Sequence, residues 1–117
     1  MQLVSKDKKV SINQLREMAG KSYYGLVKAV VDVEKQVMII DTALHSDQEG
    51  ELLKLGSKQD NLWGINLYPD KYGLDDFIEF DSMINLRPGQ GNMSRGVDDP
   101  KIREKIRRVV NELVKND

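Results

Sequence analysis

Between Leu26 and Asp41 the chain reads "LVKAVVDVEKQVMIID", two runs rich in β-branched residues separated by the polar "EKQ". β-Branched side chains suit a pleated strand, and so short a connection, turning near Glu34 and Lys35, can join only antiparallel neighbours. A lone hairpin is marginal in water, so the rest of the chain must extend it or cover it. Two later segments carry the two-residue period that would extend it. "LWGINLY" sets Trp63, Ile65 and Leu67 against Gly64, Asn66 and Tyr68 until Pro69 stops it. "IEFDSMINLR" sets Ile78, Phe80, Ile84 and Leu86 against Glu79, Asp81, Asn85 and Arg87, which predicts a long fourth strand.

The covering elements announce themselves by their caps. Ser11 with Gln14 three residues on forms a capping box, and Gly20 closes the helix it starts. Asp98 or Asp99 caps the last helix, with Pro100 at its first position and Ile102, Ile106, Val109, Val110 and Leu113 at helical spacing. Between them "HSDQEGELLKLGS" predicts one or two helical turns capped by Ser46 or Asp47 and ended by Gly56, with Gly50 weakening it. These elements predict a single α+β domain over residues 1–117. Its mainly antiparallel sheet has about four strands, its N-terminal and C-terminal helices cover one face, and the other face is wet.

Composition narrows the chemistry. The 117 residues are 39% hydrophobic and 32% charged, and no apolar run approaches the roughly 20 residues that span a bilayer. That balance is one of a soluble protein, and the charged start "MQLVSKDKKVS" has no apolar export signal, so cytoplasm is the expected location. With no cysteine and one histidine, disulfides, thiolate zinc clusters, Fe–S centres and multi-imidazole sites are excluded, and no haem or nucleotide fingerprint stands out. The net charge of −1 supplies no bulk attraction to nucleic acid.

Four constellations could carry function. Glu79 and Asp81 project from the same strand face and could hold a divalent cation such as Mg²⁺ or divide acid and base duties; an ordinary solvated strand face reads the same way. Lys28, Asp32 and Asn66 share that face only if the strand order allows it. The loop "RPGQGNMSRG" could clamp a small anion between Arg87 and Arg95, with Asn85, Gln90 and Asn92 as further binding residues, although the glycine spacing matches no phosphate loop. The competing account is a structural turn whose arginines pair with Asp98 and Asp99. His45, near Asp47 and Glu49, could be a general base. The basic run Lys101, Arg103, Lys105, Arg107 and Arg108 could meet phosphates, yet Glu104 and Glu112 stand four residues from Arg108 and would neutralise part of it. Tyr23, Tyr24, Tyr68 and Tyr72 could supply stacking surfaces, whereas Trp63 reads as core.

The stretches "NLWGINLYPD", "EFDSMINLRPGQGN" and "SRGVDDPKIREKI" resemble an uncharacterised family of short single-domain prokaryotic proteins, over most of the chain from the first hairpin to the last helix. That resemblance implies a compact domain and carries over no activity and no catalytic residue. The residues themselves favour a binding or interaction module of unknown activity, acting through the polar strand face and the loop at residues 87–96. The partners it admits are a second copy in a homodimer and a small anionic ligand. A membrane is excluded and nucleic acid disfavoured. The alternatives are a carboxylate- or metal-dependent hydrolase built on Glu79 and Asp81, with His45 assisting, and a nucleic-acid binder working through the last helix.

Overall fold

A computed structural model describes residues 1–22 and 24–117. Tyr23, one of the candidate stacking residues, lies outside the described residues. In chain order the elements are β1 (Gln2–Val4), β2 (Val10–Ser11), α1 (Ile12–Gly20), β3 (Val27–Asp32), β4 (Val37–Ile40), α2 (His45–Lys54), β5 (Leu62–Leu67), β6 (Ile78–Glu79), α3 (Pro100–Leu113) and β7 (Val114–Lys115). Five strands form an antiparallel sheet in the order β1-β4-β3-β5-β6, and β2 and β7 form a small parallel ladder that ties the two ends of the chain together. Among the described residues no helix is long and apolar enough to cross a membrane.

Local chemistry accounts for most of the boundaries. Ser11 Oγ accepts from Gln14 N at 3.0 Å while Gln14 Oε1 accepts from Ser11 N at 2.9 Å, so both halves of the α1 capping box form. Asp99, rather than Asp98, caps α3 by accepting from Lys101 N at 2.9 Å. The β3–β4 turn is held by buried Asp32, whose Oδ1 accepts from Glu34 N and Lys35 N at 2.9 Å each and whose Oδ2 accepts from Ser57 Oγ at 2.7 Å. Asp32 is therefore a turn residue and no part of a polar strand face.

The two faces of the sheet are both covered. Val27, Ala29 and Val31 of β3 and Trp63, Ile65 and Leu67 of β5 pack with Ile12 and Leu15 of α1 and Ile106, Val110 and Leu113 of α3. This is the face the terminal helices were expected to cover. The opposite face, expected to be wet, carries a second apolar cluster of Val30, Ile39, Leu52 and Leu62, with Val37 and Ile84 against it. Its cover is α2, a ten-residue helix that starts at His45 with Leu44 at its cap, and not a shorter one capped by Ser46 or Asp47. His45, Gln48 and Leu52 recur at helical spacing and form its buried side.

The fourth strand is far shorter than its alternation implies. β6 pairs with β5 only through Glu79 opposite Asn66 and Ile78 opposite Leu67. Beyond Phe80 the chain turns at Ser82, whose Oγ accepts from Ile84 N at 3.3 Å, and Met83–Asn85 forms a 3₁₀ turn. Gly64 permits the turn, because a Cβ there would lie 2.6 Å from Ser82 Cβ and Oγ. Consequently Ile78 and Phe80 join the first core, Ile84 joins the second, and Leu86 is left exposed.

Candidate functional site

The outer edge of β5 has backbone groups that a long fourth strand would have paired. Side chains pair them instead. Asn85 Oδ1 accepts from Gly64 N at 2.9 Å and Asn85 Nδ2 donates to Gly64 O at 2.9 Å. One step further along β5, Arg87 donates from Nη2 to Leu62 O and from Nη1 to Gln59 O at 2.7 Å, and its guanidinium lies 4.3 Å from the Trp63 ring centroid. The alternation of Glu79, Asn85 and Arg87 therefore does not describe one strand: after Glu79 the chain leaves the sheet, and Asn85 and Arg87 meet β5 with their side chains. The physical requirement is the same one that makes strands: buried backbone donors and acceptors must be paired.

The loop at residues 87–96 is similarly occupied with itself. Arg87 and Asn92 exchange both backbone hydrogen bonds, at 3.0 and 3.1 Å, around the turn Pro88–Gln90, which Gly91 closes with φ of 85°. Buried Asn92 donates to Asn85 O, Ser94 O and Gly96 O at 2.8 to 3.1 Å and accepts from Asp98 N at 2.9 Å. Gln90 donates to Asp60 O at 3.0 Å and accepts from Arg87 at 3.1 Å. Asp98 accepts from Met93 N and Ser94 Oγ, and these bonds hold its carboxyl below the usual carboxylate range. Arg87 and Arg95 therefore do not pair with Asp98 and Asp99 as the structural-turn account had it. The side chains of Asn85, Gln90 and Asn92 and both terminal nitrogens of Arg87 are thus spent on protein groups, while Arg87 Nε is buried without a partner among the described residues.

The remaining candidates come together elsewhere, and strand order is what joins them. β3, β5 and β6 are neighbours, so Lys28, Asn66 and Glu79 stand opposite one another in a single row across the sheet. Asn66 Nδ2 donates to Glu79 Oε1 at 2.8 Å, and Tyr68 donates to the same oxygen at 3.2 Å. Burial and then the Glu79 charge push the Tyr68 hydroxyl above its ordinary value, which keeps it a donor. Asp81 Oδ1 accepts from Arg95 Nε at 2.8 Å. The start of α2 closes this row over into a cleft of about 240 Å³ lined by Lys28, His45, Asn66, Asp81, Arg95 and the apolar Leu44, Met83 and Ile84.

His45 is buried rather than on an exposed loop, and its hydrogen-bond partner is Ile65 O, 2.7 Å from Nε2, not Asp47 or Glu49. A carbonyl only accepts, so Nε2 carries the proton and Nδ1 holds the lone pair of the neutral ring. Burial above all pulls this imidazole below its ordinary value of 6.5; the Ile65 carbonyl and Asp81 oppose the shift, and Lys28 and Arg95 add to it. Between the lowered value and about 6.5 the unfolded chain binds more protons than the folded one, so this contribution to stability is full above that window and lost as pH falls through it. We expect the wild type to lose more stability from pH 7 to pH 5 than His45→Gln, whose amide can still donate to Ile65 O. Equal slopes for the two proteins in denaturant titrations would contradict this.

Two features of the cleft have no partner among the described residues. Lys28, a partly buried residue, makes no ion pair there, although Arg95 in the same cleft does. Asn66 is 5% exposed, and its Oδ1 accepts nothing. By contrast, among the described residues no three His, Cys, Asp or Glu side chains are grouped to hold a metal ion. Sequence reasoning could place Lys28 and Asn66 only conditionally and passed over Leu44, Ser46, Ser82 and Met83; the one local signal was a helix start with no capping side chain at Leu44.

Comparison with known proteins identifies the fold's kin without an activity. No curated protein and no solved structure matches the chain. Residues 3–113 match the family described as a protein of unknown function, DUF5674, and the chain belongs to that family.

Proposed function

We propose that this protein is a binding module for a small anion, which it takes into the cleft between the start of α2 and the row of Lys28, Asn66 and Glu79. The observation that carries the reading is Lys28, a partly buried residue of the cleft whose ammonium has no counter-ion among the described residues. A cation held in a cleft without a counter-ion attracts a negative charge, and an anionic ligand would supply it. Arg95 sits in the same cleft, paired through Nε with Asp81, and the first turn of α2 adds backbone N–H groups with no side-chain cap. The neutral state favoured for His45 keeps a further titratable group of the cleft uncharged.

The other two readings find less support. A divalent cation at Glu79 and Asp81 would have to displace Asn66, Tyr68 and Arg95 from the carboxylates. On α3, Arg103 donates to Val97 O at 2.6 Å, while Arg107 lies over Phe80 and pairs with Glu104 at 4.0 Å, so this basic run is partly spent on the protein itself.

Thermal unfolding with a panel of small carboxylates and phosphate tests the reading, on the wild type and on Lys28→Met. A bound anion at about one hundred times its dissociation constant adds about 2.7 kcal/mol, which moves the midpoint by about 10 °C in a chain of this size. We expect at least one anion to do this in the wild type and none in Lys28→Met. No shift in the wild type, or one that survives the substitution, would sink the reading.

A further inference from the structure

We propose that the anion this cleft takes is a small 2-hydroxycarboxylate with a short alkyl body. The inference rests on the anion reading above and adds the part of the ligand that Asn66 selects. The Asn66 amide cannot be turned round, because Nδ2 donates to Glu79 Oε1 at 2.8 Å and lies 3.4 Å from Asp81 O, both acceptors. Oδ1 is thereby fixed as a buried acceptor with no donor. Of the neighbouring donors, His45 Nε2 is committed to Ile65 O and Arg95 Nε to Asp81, which leaves the Lys28 ammonium to hold the charge of the anion.

Lys28 and Asn66 stand directly opposite each other on adjacent strands. An anion held by Lys28 therefore lies beside the Asn66 carbonyl oxygen. Acetate or propionate would set oxygen lone pairs against it, whereas phosphate carries a hydroxyl but brings a second negative charge as its dianion. A ligand with a hydroxyl on the carbon next to its carboxylate instead gives Asn66 a donor while keeping its charge at Lys28. An ammonium in place of the hydroxyl would set a second cation beside unpaired Lys28, so the neutral donor fits better. At about 240 Å³ the cleft falls below the roughly 300 to 1,000 Å³ of sites for drug-sized ligands, which confines the ligand to a few carbons. Leu44 and Met83, 56% and 61% exposed, give its lining an apolar side where an alkyl group can rest.

Calorimetric titration of the wild-type protein with glycolate, lactate, acetate, propionate, alanine and phosphate decides the matter. Matching a buried acceptor rather than leaving it unmatched is worth about tenfold or more in affinity. We expect lactate to bind at least that much more tightly than propionate, and glycolate than acetate, with alanine and phosphate weaker than lactate. Propionate, alanine or phosphate binding as tightly as lactate would overturn the hydroxycarboxylate assignment and leave the anion reading standing. Absence of binding by every compound would overturn both.

Discussion

Asn85→Ala is expected to destabilise this protein by about 4 kcal/mol, since two buried backbone groups lose their partner at about 1–3 kcal/mol each and a third hydrogen bond goes with them. Those two groups are Gly64 N and Gly64 O on the edge of β5; Arg95 O, which accepts from Asn85 Nδ2 at 3.0 Å, keeps its second donor, Ser82 N at 2.9 Å. The side chain is wholly buried, so water cannot replace it without opening the edge. A loss of that size corresponds to a fall of about 15 °C in the unfolding midpoint, and it is a large fraction of the stability a domain this long has. Asn85→Asp should fare no better, because it turns an oxygen towards the two carbonyls that now receive hydrogen bonds. Because Asn92 Nδ2 donates to Asn85 O at 2.8 Å, Asn92→Ala and Asn85→Ala should be non-additive in a double-mutant cycle. A loss below about 1 kcal/mol for Asn85→Ala, the cost of an ordinary exposed hydrogen bond, would show that the edge of β5 is not held this way.

Gly64→Ala should cost about 2–3 kcal/mol, the upper part of the range for overpacking, although alanine has the better intrinsic preference for a strand. The added methyl would lie 2.6 Å from Ser82 Cβ and Oγ and 3.2 Å from Ile84 Cγ1. Ser82 cannot swing aside, because the clash reaches its Cβ and its backbone N donates to Arg95 O at 2.9 Å. Ser82→Gly in the same chain removes the two closest contacts, so the double mutant should recover part of the loss despite forfeiting the Ser82 cap on Ile84 N. Equilibrium unfolding of the four proteins of this cycle provides the check. A Gly64→Ala protein as stable as the wild type, or a double mutant that shows no coupling, would mean that the 82–85 turn does not press on β5.

The two substitutions concern the same structural fact, that the chain after β6 leaves the sheet and packs across it. This fact also shapes the cleft. Asn85 holds Arg95 O, Arg95 holds Asp81, and Ser82 to Ile84 form one wall, so the turn over Gly64 is what brings the 81–84 and 95 segments opposite α2. Stability and the shape of the cleft therefore depend on one piece of side-chain-mediated edge pairing.

The parts of this protein that its sequence determined are those in which cause and effect lie a few residues apart. Ser11 and Gln14 specify the start of α1, Asp99 and Pro100 that of α3, and the β-branched runs around Glu34 and Lys35 specify the hairpin, because capping and turn formation are local hydrogen-bonding problems. The period of two between Ile78 and Arg87 was equally legible, yet it could not reveal whether backbone or side chain would meet β5. That outcome depended on Gly64, fourteen residues before the stretch begins, leaving room for Ser82. The same separation hid the cover on the second sheet face, since a helix containing Gly50 has little preference of its own and α2 is stabilised by what Leu52 and Gln48 bury. Only the tertiary structure could set Lys28 opposite Asn66 and place both beside His45. Strand order is chosen by the packing of the whole core, and side chains from five separate segments line one cleft only after it has been chosen.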